Sequence, residues 1–375
     1  MARFLRRQER KVILMNLRLM AFLLALVITA SPAQDASPAP RNIIVMIGDG
    51  MGVSQVTAGR TAKGRLALER FRHLGLLLTH ASGDDYVTDS AAGATALATG
   101  VATRNGMIGM GPDSLPRTTV LEQAKAVGKK TGVVTVCSIT HATPASFLAH
   151  VPSRTLEREI AYQIARSDVD LALGSGWGWF LPKEKGGRRT DGLNLLEYME
   201  RRGFRIILTE AEFREAESRR SSKIVGLFAE NHVGRAQDRS PSLSELTEFA
   251  IRTLERAEEG FVLMVEGSQI DWASHDKNSD QTAIEMADFD DAVEVAVHFA
   301  EKNPMTLVIV TADHETGGYA LLDGSLREKI VHGGFVTDHH TAAMVPLFAI
   351  GPCAERFTGI RPNSEVGALL LELVR

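Results

Sequence analysis

Two rhythms of apolar residues alternate along the chain. Short continuous apolar runs at residues 43–47, 131–137, 169–173, 204–208, 224–228, 261–265, 305–311 and 345–351 read as strands, several of them apolar enough to be buried on both faces. A further strand is expected near residues 75–80. Between them, residues 53–68, 118–127, 192–202, 210–219, 242–257 and 280–301 space their apolar positions three and four apart, as helices do. Such alternation predicts an α/β fold with a central, mostly parallel sheet and helices on both faces. In that architecture ligands gather at the carboxyl ends of the strands. No internal repeat interrupts the pattern, and residues 174–231, rich in Gly, Lys, Arg and aromatics, read as a surface elaboration.

The first 33 residues follow a different pattern. Arg3, Arg6, Arg7, Arg10 and Lys11 flank an apolar core at residues 19–28, and Ser31 and Ala33 suit a cleavage site, as in an export signal. Translation could equally begin at Met15. Ten apolar residues are short for a membrane span. The expected arrangement is a signal at residues 1–33, a single domain at 34–375, and a periplasmic or extracellular destination.

Composition narrows the field by exclusion. A chain of 375 residues, 44% hydrophobic and 23% charged, can bury a large core. Its formal charge of -4 offers no basic footprint for nucleic acid. Two cysteines, Cys137 and Cys353, sit in apolar strand-like contexts and read as buried free thiols.

The candidate chemistry lies just after the apolar runs. Asp49 follows one run, Glu266 another, and Asp313 with His314 a third. Asp271 and His275 are one helical turn apart, a spacing that lets both face one Zn²⁺. His339 and His340 precede another apolar run, where one could ligate and the other face solvent, and His141, Thr143 and Arg154 come after residues 131–137. Each alone has an ordinary structural reading, such as an Asx turn or a solvated helix start. Together they form a set of metal-ligand types around Ser90. That serine begins the run SAAGATALAT, which reads as a capped helix whose free amides could hold a phosphate. The same run also reads as a small-residue helix packed tightly on a neighbour. A dinucleotide-binding turn at GDGMG is disfavoured, because Asp49 inside it would repel a pyrophosphate.

In order along the chain, IGDGMG, VTDSAAGATALATG, HATPAS with SR downstream, VEG with ID and H, TADH and a late HT are similar to the metal-dependent alkaline phosphatase family. The resemblance runs from about residue 42 to 352 and is weakest between about 175 and 256. It implies an alkaline-phosphatase-like fold and hydrolysis of phosphate monoesters through a phosphoserine at Ser90, with Arg154 gripping the phosphate. It implies one zinc on Asp271, His275 and His340, and a second on Asp49, Asp313 and His314. A third ion, of the Mg²⁺ type, would take Asp49, Thr143 and Glu266, with His141 nearby. Some family members carry Asp where this chain has His141, and Lys or His where it has Trp272. The imidazole puts Mg²⁺ in question at the third site, and Trp272 stands on the substrate side without a cation. Residues after Ser90 do not fit the sulfatase pattern. A phosphodiesterase of the same superfamily and an exported, non-catalytic metal- or phosphate-binding protein are the alternatives. The partners implied are small phosphate monoesters, with no nucleic acid and no membrane span after signal removal, in a monomer or homodimer.

Overall fold

Strand β1 (Asn42–Gly48) runs through the middle of a ten-stranded sheet and is buried along its whole length, because a strand lies on each side and helices cover both faces. The computed structural model describes residues 38–218 and 223–375, with residues 1, 8 and 15 besides. The expected export signal therefore lies outside the described stretch. Residues 39–375 form one compact unit.

After β1 the chain continues through α1 (Val53–Lys63), β2 (His73–Leu78), α2 (Ser90–Thr99), α3 (Val120–Ala126), β3 (Lys130–Ser138), α4 (Ala142–Leu148), α5 (Glu157–Arg166) and β4 (Leu171–Ser175). Next come α6 (Leu195–Arg201), β5 (Arg205–Ile207), α7 (Glu210–Ser218), β6 (Ile224–Leu227), α8 (Leu243–Leu254), β7 (Phe261–Gly267), α9 (Gln269–His275) and α10 (Ser279–Lys302). The chain ends with β8 (Thr306–Thr311), β9 (Glu315–Thr316), β10 (Tyr319–Ser325), β11 (Ile330–Phe335), β12 (His340–Thr341), β13 (Val345–Ile350), β14 (Gly359–Pro362) and α11 (Asn363–Leu373). The sheet order is β14-β2-β13-β8-β1-β7-β3-β4-β6-β5. All its pairings are parallel except the two made by β13, so the sheet is mostly parallel as expected.

Helix boundaries follow local chemistry. The first helix stops at Lys63 rather than near 68, because Gly64 takes φ 92° and a 3₁₀ turn follows at Ala67–Arg70. Helix α8 opens on a capping box between Ser242 and Glu245, and α3 on one between Thr119 and Glu122. Helix α10 brings Phe289 into the space left by Gly48 and Gly267, where added Cβ atoms would lie 3.2 and 2.6 Å from its ring. Emptying such a site costs about 3–5 kcal/mol. Strands β5 and β6, within residues 174–231, extend the sheet at one edge. The β10–β11 hairpin has no counterpart in the apolar pattern, because it exposes Leu321, Leu322 and Ile330 and buries no continuous run.

Four neighbouring strands, β8-β1-β7-β3, matter most. Their carboxyl ends open side by side.

Candidate active site

At the end of β1 the chain turns through Asp49 and Gly50. A side chain at Gly50, φ 74°, would bring its Cβ within 2.8 Å of both the Asp271 backbone and Thr316 Oγ1, so only glycine lets this turn meet α9 and β9. Asp49 is fully buried and neither of its carboxylate oxygens has a hydrogen-bond partner.

Ser90 is the first residue of α2 and is 2% exposed. Asp89 caps the helix, its Oδ1 accepting from Ala92 N at 2.9 Å. Every residue of α2 is buried, and the helix presses on the end of β8: a Cβ at Gly93 would sit 2.7 Å from the Asp313 carbonyl oxygen. Ser90 Oγ thereby comes 3.2 Å from His314 Nε2. Asp89 has a second task that the motif did not reveal. Its Oδ2 accepts from Arg154 Nη1 at 3.1 Å, while Arg154 Nη2 lies 3.2 Å from His141 Nε2.

The metal-ligand types fall into three groups, within each of which the donor atoms lie within 4.8 Å of one another: Asp271, His275 and His340; Asp49, Asp313 and His314; and Cys137, His141 and Glu266. In the first, His275 Nε2 is 3.3 Å from Asp271 Oδ2 and 3.2 Å from His340 Nε2. Nδ1 of His275 is 2.6 Å from the Asp338 carbonyl and Nδ1 of His340 is 2.9 Å from that of Thr88. Those carbonyls take the Nδ1 protons, so both Nε2 atoms face one place, and a cation there would replace the proton that His275 Nε2 shares with Asp271. His339, by contrast, is exposed.

In the second group, His314 Nε2 is 3.3 Å from Asp49 Oδ1 and 3.4 Å from Asp313 Oδ2. Thr316 stands between the two groups, its hydroxyl donating to Asp271 and lying 3.3 Å from His314 Nδ1. In the third, Glu266 Oε1, His141 Nδ1 and the neighbouring Thr143 Oγ1 are buried without hydrogen-bond partners. Asp49 groups with Asp313 and His314, and Cys137 joins His141 and Glu266.

The electrostatics show a site with more buried carboxylates than its own cations balance. Burial, then repulsion from Asp271 and Glu266, pushes Asp313 up to about 8. Burial and the charge of Asp313 push Asp49 well above the usual carboxylate range. Burial pushes Glu266 up to about 7 against hydrogen bonds from Thr135 and Cys137. The Asp271 hydrogen bond raises His275 to about 9, whereas burial and nearby Arg154 lower His141 to about 3. Divalent ions would reverse these carboxylate shifts.

Trp272 lies beside this cluster, its ring edge-on to His141 at 5.9 Å and to His232 at 4.7 Å. The sequence reading missed His232, Cys137 as a neighbour of Glu266, and Thr316. His232 falls where the resemblance is weakest, and nothing in its local pattern marks it. Thr316 was within reach, since it lies two residues past His314 in the same motif.

Comparison with known proteins agrees with this geometry. A family model described as alkaline phosphatase matches residues 40–333. Alkaline phosphatase 4 of Bacillus subtilis (strain 168) is 39% identical over 310 residues, which is 78% of this chain and 64% of that protein. This chain thus spans just under two thirds of that relative's length. The alkaline phosphatase of the Antarctic bacterium TAB5 superposes with a TM-score of 0.83 at 38% identity, covering 90% of this chain and 98% of that one. A variant of the TAB5 enzyme with aspartate in place of a histidine, TM-score 0.82 and 38% identical over 90% of this chain and 99% of that one, is described with magnesium in a site called M3. With the family model spanning most of its length and the solved TAB5 fold matching nearly all of it, the chain belongs to the alkaline phosphatase family.

Proposed function

We propose that the chain hydrolyses phosphate monoesters by double displacement through a phosphoserine at Ser90. The observation that carries this reading is the position of Ser90 Oγ, 3.2 Å from His314 Nε2 at the first turn of a helix, beside the unpartnered carboxylate oxygens of Asp49 and Asp313. Two zinc ions are assigned to Asp271, His275, His340 and to Asp49, Asp313, His314. A third ion is assigned to Glu266, Thr143, Asp49 and His141. The unpartnered oxygens and the converging imidazole nitrogens fit such ions. When bound, the ions would favour the serine alkoxide and stabilise charge on the leaving and attacking oxygens.

The residues themselves do the rest. Ser90 attacks phosphorus in line, the Ser–O–P bond forming as the P–O bond to the alcohol breaks, and the serine proton ends, by way of solvent, on the departing alcohol oxygen. Asp89 holds the amides of Ala92 and Gly93, and the start of α2 adds the helix dipole to the hold on negative charge. Arg154 turns its guanidinium from Asp89 to the phosphoryl group, where two parallel N–H donors match two oxygens. Water then attacks the phosphoserine from the side the alcohol left, releasing phosphate and restoring Ser90. Trp272 contributes a flat apolar wall on the substrate side rather than a charge. Residues 34–375 are assigned as the catalytic domain, and residues 1–33 as an export signal leading to the periplasm or beyond. Among the described residues no helix is long and apolar enough to cross a membrane.

The test is hydrolysis of p-nitrophenyl phosphate by the full chain, stripped of metal and refilled with Zn²⁺ with or without Mg²⁺, beside bis-(p-nitrophenyl) phosphate. Zinc-restored turnover of the monoester supports the reading. A preference for the diester would replace it with the phosphodiesterase alternative, and no turnover with zinc bound would leave a binding protein.

A further inference from the structure

Cys137 lies two residues beyond Thr135 on β3, where the register with β4 shifts, and its Sγ lies 3.1 Å from Thr135 Oγ1. Thr135 sits directly opposite Glu266 in the β3–β7 register. As a result Cys137 Sγ comes 3.4 Å from Glu266 Oε2, in a place fully closed to solvent. Beside it, Glu266 Oε1 and His141 Nδ1 are buried without a hydrogen-bond partner. Two unsatisfied polar atoms so close together call for an occupant.

We propose that Cys137 is a metal ligand, completing with His141 and Glu266 a thiolate–imidazole–carboxylate pocket that takes Zn²⁺ or Co²⁺ rather than Mg²⁺ as the third ion. This deepens the three-ion reading above and rests on it for the existence of a third ion. The donor set is the first reason. Thiolate and imidazole suit Zn²⁺ and Co²⁺, whereas Mg²⁺ takes oxygen ligands and water. The grouping is the second: the donor atoms of Cys137, His141 and Glu266 lie within 4.8 Å of one another.

An ordinary buried thiol donating weakly to a carboxylate would account for the Sγ contact alone. It would leave Glu266 Oε1 and His141 Nδ1 unpaired. Without an ion, burial and the Glu266 charge keep the thiol protonated. On binding, the metal–sulfur bond forms and the S–H proton passes to solvent, one proton per ion. Ligation through His141 Nδ1 moves the ring proton to Nε2. That turns the Arg154–His141 contact from attractive to repulsive, so filling this pocket frees Arg154 for its oxyanion.

The experiment uses the full chain, stripped by chelator and titrated with Co²⁺ in excess Mg²⁺ while its absorption is recorded. The expected result is an intense near-ultraviolet thiolate-to-cobalt band with the third equivalent, kept in Cys353→Ser and lost in Cys137→Ser. Since the chain has only two cysteines, a band in Cys353→Ser assigns the ligand even if Cys137→Ser fails to fold. In a folded Cys137→Ser, the preference for Co²⁺ over Mg²⁺ at the third equivalent should fall ~10-fold or more, at least the loss that follows a change just outside a metal's ligand set. A third cobalt bound without the band, no third cobalt, or a band that survives in Cys137→Ser would each overturn the proposal. The phosphatase reading fails separately: p-nitrophenyl phosphate left unhydrolysed by a protein showing the band would end that reading and leave the thiolate site standing.

Discussion

Ser90 Oγ and His314 Nε2 stand 3.2 Å apart, both buried, one on the first turn of a helix and the other just past the end of a strand 224 residues later. Nothing local holds them together. The contact exists because α2 is made of residues small enough to lie directly on the end of β8.

Replacing Ser90 with alanine should lower p-nitrophenyl phosphate turnover ~10³-fold or more, the scale of losing a nucleophile. The Asp89 cap survives that change, so melting temperature and zinc content should stay near wild type. Undiminished turnover would take Ser90 out of the nucleophile's role.

Arg154 is shared between a protein carboxylate and the phosphate it is proposed to bind. Arg154→Ala should raise the inhibition constant for inorganic phosphate by about 10–100-fold, the worth of a charge-assisted, two-pronged contact. Asp89→Asn keeps an acceptor for Ala92 N but weakens the pull on Arg154, and should tighten phosphate a few-fold. Inhibition measured at fixed zinc would read both changes, and identical constants in Asp89→Asn and wild type would show that Asp89 does not compete.

Metal removal should make stability depend on pH with a definite sign. Asp313, at about 8, and Asp49 bind protons in the metal-free fold more tightly than in the unfolded chain. Burial keeps His141 and His314 neutral in the fold, which opposes this trend below the ordinary histidine value of 6.5; from there up to about 8 the folded form holds more protons, and stability falls as pH rises. With ions bound, the carboxylates are already ionised and that slope should vanish. Thermal melts with and without chelator at about pH 7 and pH 8.5, both above the ordinary histidine range, would read it. The gap between loaded and stripped forms should be wider at pH 8.5, and an equal gap would contradict the assignment of cations to these carboxylates.

Much of this site was legible in sequence because its residues follow apolar runs. Asp49, Glu266, Asp313 and His141 come at the ends of strands whose order, β8-β1-β7-β3, makes them neighbours. A parallel sheet brings such positions together without further information. The hairpin at β10–β11 was not legible, since it is anchored by two separate side chains, Tyr319 and Val331, packed with Ala58 and Ala283, rather than by a continuous buried stripe. The partners of Glu266 were hidden for another reason. Strand register, which sets Thr135 opposite Glu266 and hence Cys137 beside it, cannot be read from two separate apolar runs.

Gly93 tests whether the two readings of the small-residue run, tight packing and a catalytic helix start, are one. A methyl there would lie 2.7 Å from the Asp313 carbonyl oxygen and 3.1 Å from its Cβ. Alanine favours a helix over glycine by about 1 kcal/mol, while overpacking of this kind costs about 1–3 kcal/mol. The net effect on the metal-free protein should thus be a modest loss. Asp313, however, would be pushed from His314 and Asp49, and distances among metal donors tolerate little change. Gly93→Ala should therefore weaken zinc far more than it lowers the metal-free melting temperature, as read by competition with a chromogenic chelator. Were the melting temperature to fall with zinc affinity unchanged, the helix would be packing against β8 without setting the position of its ligand.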